Sequence, residues 1–267
     1  FNDRNFRQAV NHAINRKAMV ANHFKGLGYP SFTMLSPVSP FFNENLKGFE
    51  PDIEYCLKLL AESGFKKDTE GQLVDSKSNR VEFDLVTSSG GTFFSTISNM
   101  FIEDMKKLGI KVNFEEINFN ILMDRVQVAC NWQAGIYGLS GGDPFEPHSS
   151  ANIFASNARR HLFDQRQPDK SGNIPVTDAR AWEKRIDQLY SQGASTFDNT
   201  KRKAIYNELQ KIIYDEAPFI YLVDAMNIIG ARNTIKNYNP TRLSQLTIGV
   251  HNIEELYKEP GKPEQKQ

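Results

Sequence analysis

The chain of 267 residues carries 32 basic and 32 acidic residues, a formal net charge of zero. No net field draws such a chain to nucleic acid or to an anionic membrane. Its length supplies apolar material for one large domain or two small ones, and runs such as FIYLV at 219–223 are far too short to span a bilayer.

Residues 4–24 set Phe6, Ala9, Val10, Ala13, Ile14 and Val20 at helical spacing, with Asp3 placed to cap. Four prolines from Pro30 to Pro51 then impose an irregular loop. Asp52 caps a second helix, IEYCLKLLAESGF, with Ile53, Cys56, Leu57, Leu59 and Leu60 as its buried stripe and Gly64 as its stop. Residues 66–80 read as a hairpin or loop around GQLVDSKSNR.

The middle is the most legible part. VEFDLVT alternates as a strand and runs into Ser88-Ser89-Gly90-Gly91, with Thr92 as the N-cap of a helix over 93–108 that Gly109 ends. IKVNFEEI is a second strand, ILMDRVQVA a short helix and WQAGIYGL a third strand. This βαβαβ order predicts a parallel sheet. A polar connection over 164–178 leads to two more helices, one holding Trp182, Ile186, Leu189 and Tyr190, the other opening at Asp198 and ending at Pro218. FIYLV, MNIIGAR and a strand near 248–256 close the ordered part, and the tail 258–267 has no apolar content.

The two cysteines, Cys56 in a helical pattern and Cys130 at a helix end, favour two buried thiols, with a bridge left open. No CxxC or Cys/His metal spacing occurs. His12 and His23 share one helical pattern but stand ~16 Å apart along its axis, too far to share an ion. His148 and His161 lack ligand spacing, and Arg159-Arg160-His161 reads as a solvated charge run. No metal or cofactor is expected. No G-x-S-x-G, H-E-x-x-H or Cys-His arrangement points to an enzyme.

Four segments together resemble one family. Phe1-x-Asp3-x-x-x-Arg7-Gln8-Ala9-x-x-x-Ala13-Ile14-x-Arg16 is its opening signature. LKLLAESGFK is similar to its "LL-x-x-A-G-[FY]" helix, with Ser63 replacing alanine. KKLGIKVNFEEINFNILMDRVQ follows in order, then DNTKRKAIYNELQKIIYDEAPFIYLV, similar to its C-terminal segment. The family is the extracytoplasmic solute-binding proteins of peptide-type (family 5) ABC transporters. The resemblance implies an α/β fold: one lobe of a two-lobed, type II periplasmic-binding-protein-like clamp, a mostly parallel sheet flanked by helices. It implies that the chain, which starts at Phe1, is a fragment. Residues 1–218 would be the second lobe and 219–257 a return crossing with strands of the missing first lobe, leaving Phe219, Ile220, Leu222, Ile228 and Ile229 exposed.

Ligands of open parallel sheets sit beyond the carboxyl ends of the strands. That rule selects Ser88, Ser89, Gly90 and Gly91; Asn118 and Asn120; and Ser140, Gly141, Gly142 and Asp143. Helix-terminal amides after Gly91 suit a carboxylate, such as a peptide C-terminus, although the loop reads equally as a plain turn. In the family an aspartate in the third loop holds the ligand's amino group. Asp143 is the counterpart here, but the neighbouring Trp and Tyr of the peptide pattern are absent, and Asp-Pro also suits a turn. The partners implied are a peptide or other small solute, ABC permease subunits and the missing lobe, with no nucleic acid. The location implied is periplasmic or extracellular, membrane-anchored. A sensor or docking role, or a non-peptide solute such as a nickel chelate, sugar or opine, is the alternative.

Overall fold

The computed structural model describes residues 1–139, 146–158, 160, 162–163, 166, 169, 175–177, 179–226, 228, 230–239 and 252–259. The opening pattern makes two helices rather than one, α1 (Arg4–Ala13) and α2 (Arg16–His23). Asp3 caps α1 by accepting the Phe6 amide at 2.7 Å. The break falls where Ile14 turns extended and Asn15 becomes the cap of α2, accepting the Ala18 amide at 3.0 Å. Asparagine offers the backbone this alternative to helix. The Asn15 amide is taken by Asp104 Oδ2 at 2.9 Å. His12 and His23 therefore lie on different helices, each packed against aromatic rings.

After β1 (Gly28–Pro30) and the Pro-rich loop comes α3 (Ile53–Glu62), capped by Asp52 and closed through Gly64 at φ +83°. Strands β2 (Lys66–Lys67) and β3 (Leu73–Val74) form the expected hairpin. The central block is β4 (Glu82–Ser88), α4 (Thr92–Leu108), β5 (Lys111–Ile117), α5 (Phe119–Met123, continuing as a π turn Asp124–Val128) and β6 (Ala134–Ile136). All three strands run parallel in the order β5-β4-β6. β6 is shorter than the predicted third strand and pairs only with Leu85, Val86 and Thr87. Gly109 stops α4 at φ +82°, where a Cβ would collide with the Gly71 carbonyl.

A 3-10 turn (Pro147–Ser150) leads into α6 (Ala151–Phe154), followed by α7 (Ala181–Ser195) and α8 (Asn199–Glu216). Three short strands follow among the described residues: β7 (Val223–Ala225) antiparallel to β1, and β8 (Ile235–Lys236) antiparallel to β9 (Tyr257–Lys258). Among the described residues parallel pairing is thus confined to the central sheet, and the other ladders are antiparallel. Lys258, assigned to the tail from sequence, is a paired strand residue, and Ile253–Glu255 is a 3-10 turn rather than strand. Residues 248–251, 260–267 and most of 164–178 lie outside the described residues.

Both faces of the central sheet are covered, and β4 shows why its alternation fails at the end. Phe83 and Leu85 join the core built by α1, α3 and α4, whereas Val86 faces Ile117, Leu122 and Val126 on the α5 side. Leu85, Val86 and Thr87 are consecutively buried, as befits a central parallel strand. A further core holds Phe154, Ile186, Leu189, Tyr206, Leu209 and Ile213 from α6, α7 and α8. Each fully buried Leu, Ile or Met side chain contributes roughly 1.5–3 kcal/mol.

The segment 219–223 runs between the two larger cores. Ile220, Leu222 and Val223 pack on the first, Phe219 and Tyr221 on the second. The exposure expected for Phe219, Ile220 and Leu222 is therefore corrected: all three are half-buried, and from 219 to 222 successive side chains turn to opposite cores. Ile228 is 75% exposed, and Ile229 lies outside the described residues.

The opening signature proves to be architectural. Arg4, Arg7 and Gln8 donate to the carbonyls of Tyr214, Asp215, Glu216 and Ala217, the unpaired end of α8. Ala9 and Ala13 are fully buried and small enough to let α3 approach, so that the Cys56 thiol donates to the Ala9 carbonyl at 3.1 Å. Burial, reinforced by Asp52, pushes the Cys56 pKa up to about 12, so it stays a thiol. Cys130, expected to be buried, is partly exposed and sits at φ +46°. In the C-terminal segment, buried Gln210 accepts the Asn43 amide and donates to the carbonyls of Phe41 and Tyr206, tying the Pro-rich loop to α8.

Candidate functional site

The strand order β5-β4-β6 places the first crossover on one side of β4 and the second on the other. The chain therefore reverses direction beside β4, the place where ligands of open α/β sheets bind. Hydrogen bonds hold the three exits together. The Ser89 amide donates to the Ile117 carbonyl at 2.7 Å, one residue before Asn118. The Thr87 hydroxyl donates to the Ile136 carbonyl at 2.6 Å. Gly138, just past β6, faces Phe94 so closely that a Cβ there would lie 3.5 Å from the ring tip.

The first exit carries Ser88, half-buried, and Ser89, Gly90 and Gly91, exposed. Gly90 takes φ +101°, a left-handed step that glycine makes without strain. Gly91, not Thr92, is the N-cap of α4, and no side chain caps that terminus. The helix begins one residue earlier than the sequence suggests, and its N-terminus has no side-chain cap. At the second exit, exposed Asn118 caps α5 by accepting the Asn120 amide at 2.9 Å, so its oxygen already has a structural partner.

Ser140, Gly141, Gly142 and Asp143 lie outside the described residues, but both flanks of their loop are fixed. Upstream, Tyr137 is half-buried in the α5-side core, which pushes its pKa up to about 12. Downstream, Glu146 pairs with Arg202 of α8 at 2.6 Å and accepts the His148 amide at 2.9 Å. Desolvation pushes the Glu146 pKa up, but the Arg202 and His148 hydrogen bonds outweigh it and hold the carboxylate below its usual range. His148 Nδ1 lies 3.2 Å from the Tyr206 hydroxyl, and the Ser150 and Tyr190 hydroxyls are 2.8 Å apart. Phe94, Tyr137, Arg202, Tyr190 and Tyr206 are absent from the sequence reading of the site. The run of three buried residues on β4 was the available signal that the sheet continues on both sides.

The chemistry offered is hydrogen bonding and shape. Among the described residues no group of three or more His, Cys, Asp or Glu could hold a metal ion, and no helix is long and apolar enough to cross a membrane.

Residues 1–161, more than half of the chain, match the family described as "Bacterial extracellular solute-binding proteins, family 5 Middle", and the chain belongs to that family. A probable ABC transporter-binding protein of Deinococcus radiodurans is 30% identical over 234 residues, 83% of this chain and 38% of that protein. The oligopeptide-binding protein AppA of Bacillus subtilis, solved with a nonapeptide, superposes with a TM-score of 0.73 at 21% identity, over 97% of this chain and 48% of that one. NikZ of Campylobacter jejuni, solved with Ni(L-His), gives 0.72 at 19% identity, over 96% and 49%. The fold is that of these two-lobed binding proteins. The chain spans about two-fifths of the length of the curated relatives it matches.

Proposed function

We propose that this chain is the second lobe, residues 1–218, of the substrate-binding component of an ABC importer, which captures a peptide or related small solute between two lobes. Residues 219–257 then form the return crossing to a first lobe supplied by the rest of the polypeptide. The loaded clamp, extracytoplasmic and membrane-anchored, delivers its solute to permease subunits. The observation that carries this reading is the convergence of three strand exits at the switch point, beside an α4 terminus that no side chain caps. The ligand contacts are Ser88, Ser89, Gly90 and Gly91, Asn118 and Asn120, and the loop Ser140–Gly141–Gly142–Asp143, with Asp143 facing the solute's ammonium group.

Peptide is preferred because the four sequence segments follow the peptide-type pattern. The same fold holds a nonapeptide in AppA and Ni(L-His) in NikZ, so a non-peptide solute is the second reading. A signalling rather than importing role uses the same clamp. Native mass spectrometry of the full-length parent tests the proposal. Retained mass that sequences as peptide supports it, and a retained metal chelate moves it to the second reading. A parent that stays bare after a mixed-peptide and nickel–histidine challenge overturns it.

A further inference from the structure

Arg16 is 2% exposed, and its guanidinium is spent on three hydrogen bonds. Nη1 donates to the Asn11 carbonyl and Nη2 to Asn11 Oδ1, both at 2.8 Å, while Nε donates to the Tyr221 carbonyl at 2.7 Å. The group also lies over the Phe49 ring, 5.4 Å from its centroid. Among the described residues no carboxylate oxygen comes within ion-pair distance of it. A buried charge that only the field of Asp104 offsets, without an ion pair, is costly, and an apolar side chain of similar volume fills space more cheaply. Packing alone therefore does not account for an arginine here.

Its geometry does. Asn11 belongs to α1, and Tyr221 lies 205 residues after Arg16, in the segment that turns its side chains to two cores. Because both faces of the segment are apolar, hydrophobic pattern alone does not choose between its two registers, and a one-residue slip would exchange the faces. We infer that Arg16 is a positioning residue that sets the register of residues 219–226 against α1. The planar guanidinium, held on Asn11 by two parallel bonds, presents Nε at one fixed point, and only one carbonyl of the segment can meet it. The ladder downstream depends on that register: the Ser31 amide donates to the Leu222 carbonyl and the Met226 amide to the Leu27 carbonyl, each at 3.1 Å. The tie extends to α4, because Asn15 next to Arg16 is held by Asp104. This role involves no ligand and stands apart from the transport reading.

Amide hydrogen exchange on this chain tests it, with Arg16→Met compared, at matched global stability, with Leu60→Ala, a truncation on α3, which takes no part in the β1–β7 ladder. The expected result for Arg16→Met is exchange at the Ser31 and Met226 amides about tenfold faster, with the β4–β5 ladder unchanged. Arg16→Lys, which keeps the charge but reaches one acceptor at a time, should show the same local pattern at smaller amplitude. It also serves if the methionine variant does not fold. Exchange at Ser31 and Met226 that only tracks the rest of the molecule, as in Leu60→Ala, overturns the inference. So does an unchanged profile in Arg16→Lys.

Discussion

Gly193 of α7 faces Tyr206 of α8 so closely that a methyl group at residue 193 would lie 2.7 Å from the phenol ring and its hydroxyl. Tyr206 has nowhere to retreat. It is fully buried, its ring meets Phe41 and Tyr190, and its hydroxyl engages His148. Gly193→Ala should therefore cost about 1–3 kcal/mol by overpacking, despite the higher helix propensity of alanine. A thermal melt should show a fall of several degrees. An unchanged or raised melting temperature means that α7 and α8 shift apart freely.

Asp224 carries a different cost. Burial raises its carboxyl pKa, and the Ser31 hydroxyl bond only partly offsets that. The folded state then holds its proton to higher pH than the unfolded chain. Stability is thus lost as pH rises from the unfolded value through the folded one, and the loss persists at neutrality. Asp224→Asn removes the charge and keeps a group able to meet Ser31. The variant should be more stable than the parent chain at pH 7, with the advantage shrinking toward pH 4. Denaturant melts at the two pH values check the sign, and a variant less stable at pH 7 contradicts it.

Much of this fold was legible because its elements carry local signals. Asp3, Asp52 and Asp198 cap helices, Gly64 and Gly109 end them, and β4 and β5 alternate. What was not legible is long-range. The partial burial of Phe219, Ile220 and Leu222 depends on cores whose members include residues from the opening helix, so their apolar run read as an orphaned surface. The split at Asn15 needed Asp104, far along the chain, to take its amide. For the site, sequence selected the three strand exits, but not Arg202, Tyr190 and Tyr206, which hold Glu146, His148 and Ser150 from helices recognisable only as amphipathic.

His12 sits between the rings of Phe49 and Tyr55, each centroid 4.9 Å away. Burial lowers its pKa, more than a hydrogen bond to the Glu50 backbone restores. The folded chain therefore resists protonating it at pH values where the unfolded chain already has. Stability is full above the unfolded value near 6.5 and falls as pH drops through the window below it. His12→Gln should flatten that slope while changing stability little at pH 8. Urea midpoints from pH 5 to 8 measure this, and a slope equal in both proteins assigns the acid sensitivity elsewhere.

Gly138 offers the sharpest mutational reading of the proposed site, because it is exposed yet faces Phe94 at the mouth of the switch point. A single methyl fits there in ordinary contact, so Gly138→Ala should be silent. Gly138→Val drives a branched carbon at the Phe94 ring, beside the α4 terminus, from a position where stability changes stay within about 0.5 kcal/mol. In the full-length parent, Gly138→Val should therefore lose most of the solute retained in native mass spectrometry, while the melting temperature of the solute-free protein holds. The pair of variants separates two failures. Equal retention in both removes the β6 exit from the pocket and leaves the fold assignment intact. Retention lost together with a large drop in melting temperature instead marks Gly138 as a folding position, whose effect on the solute is indirect.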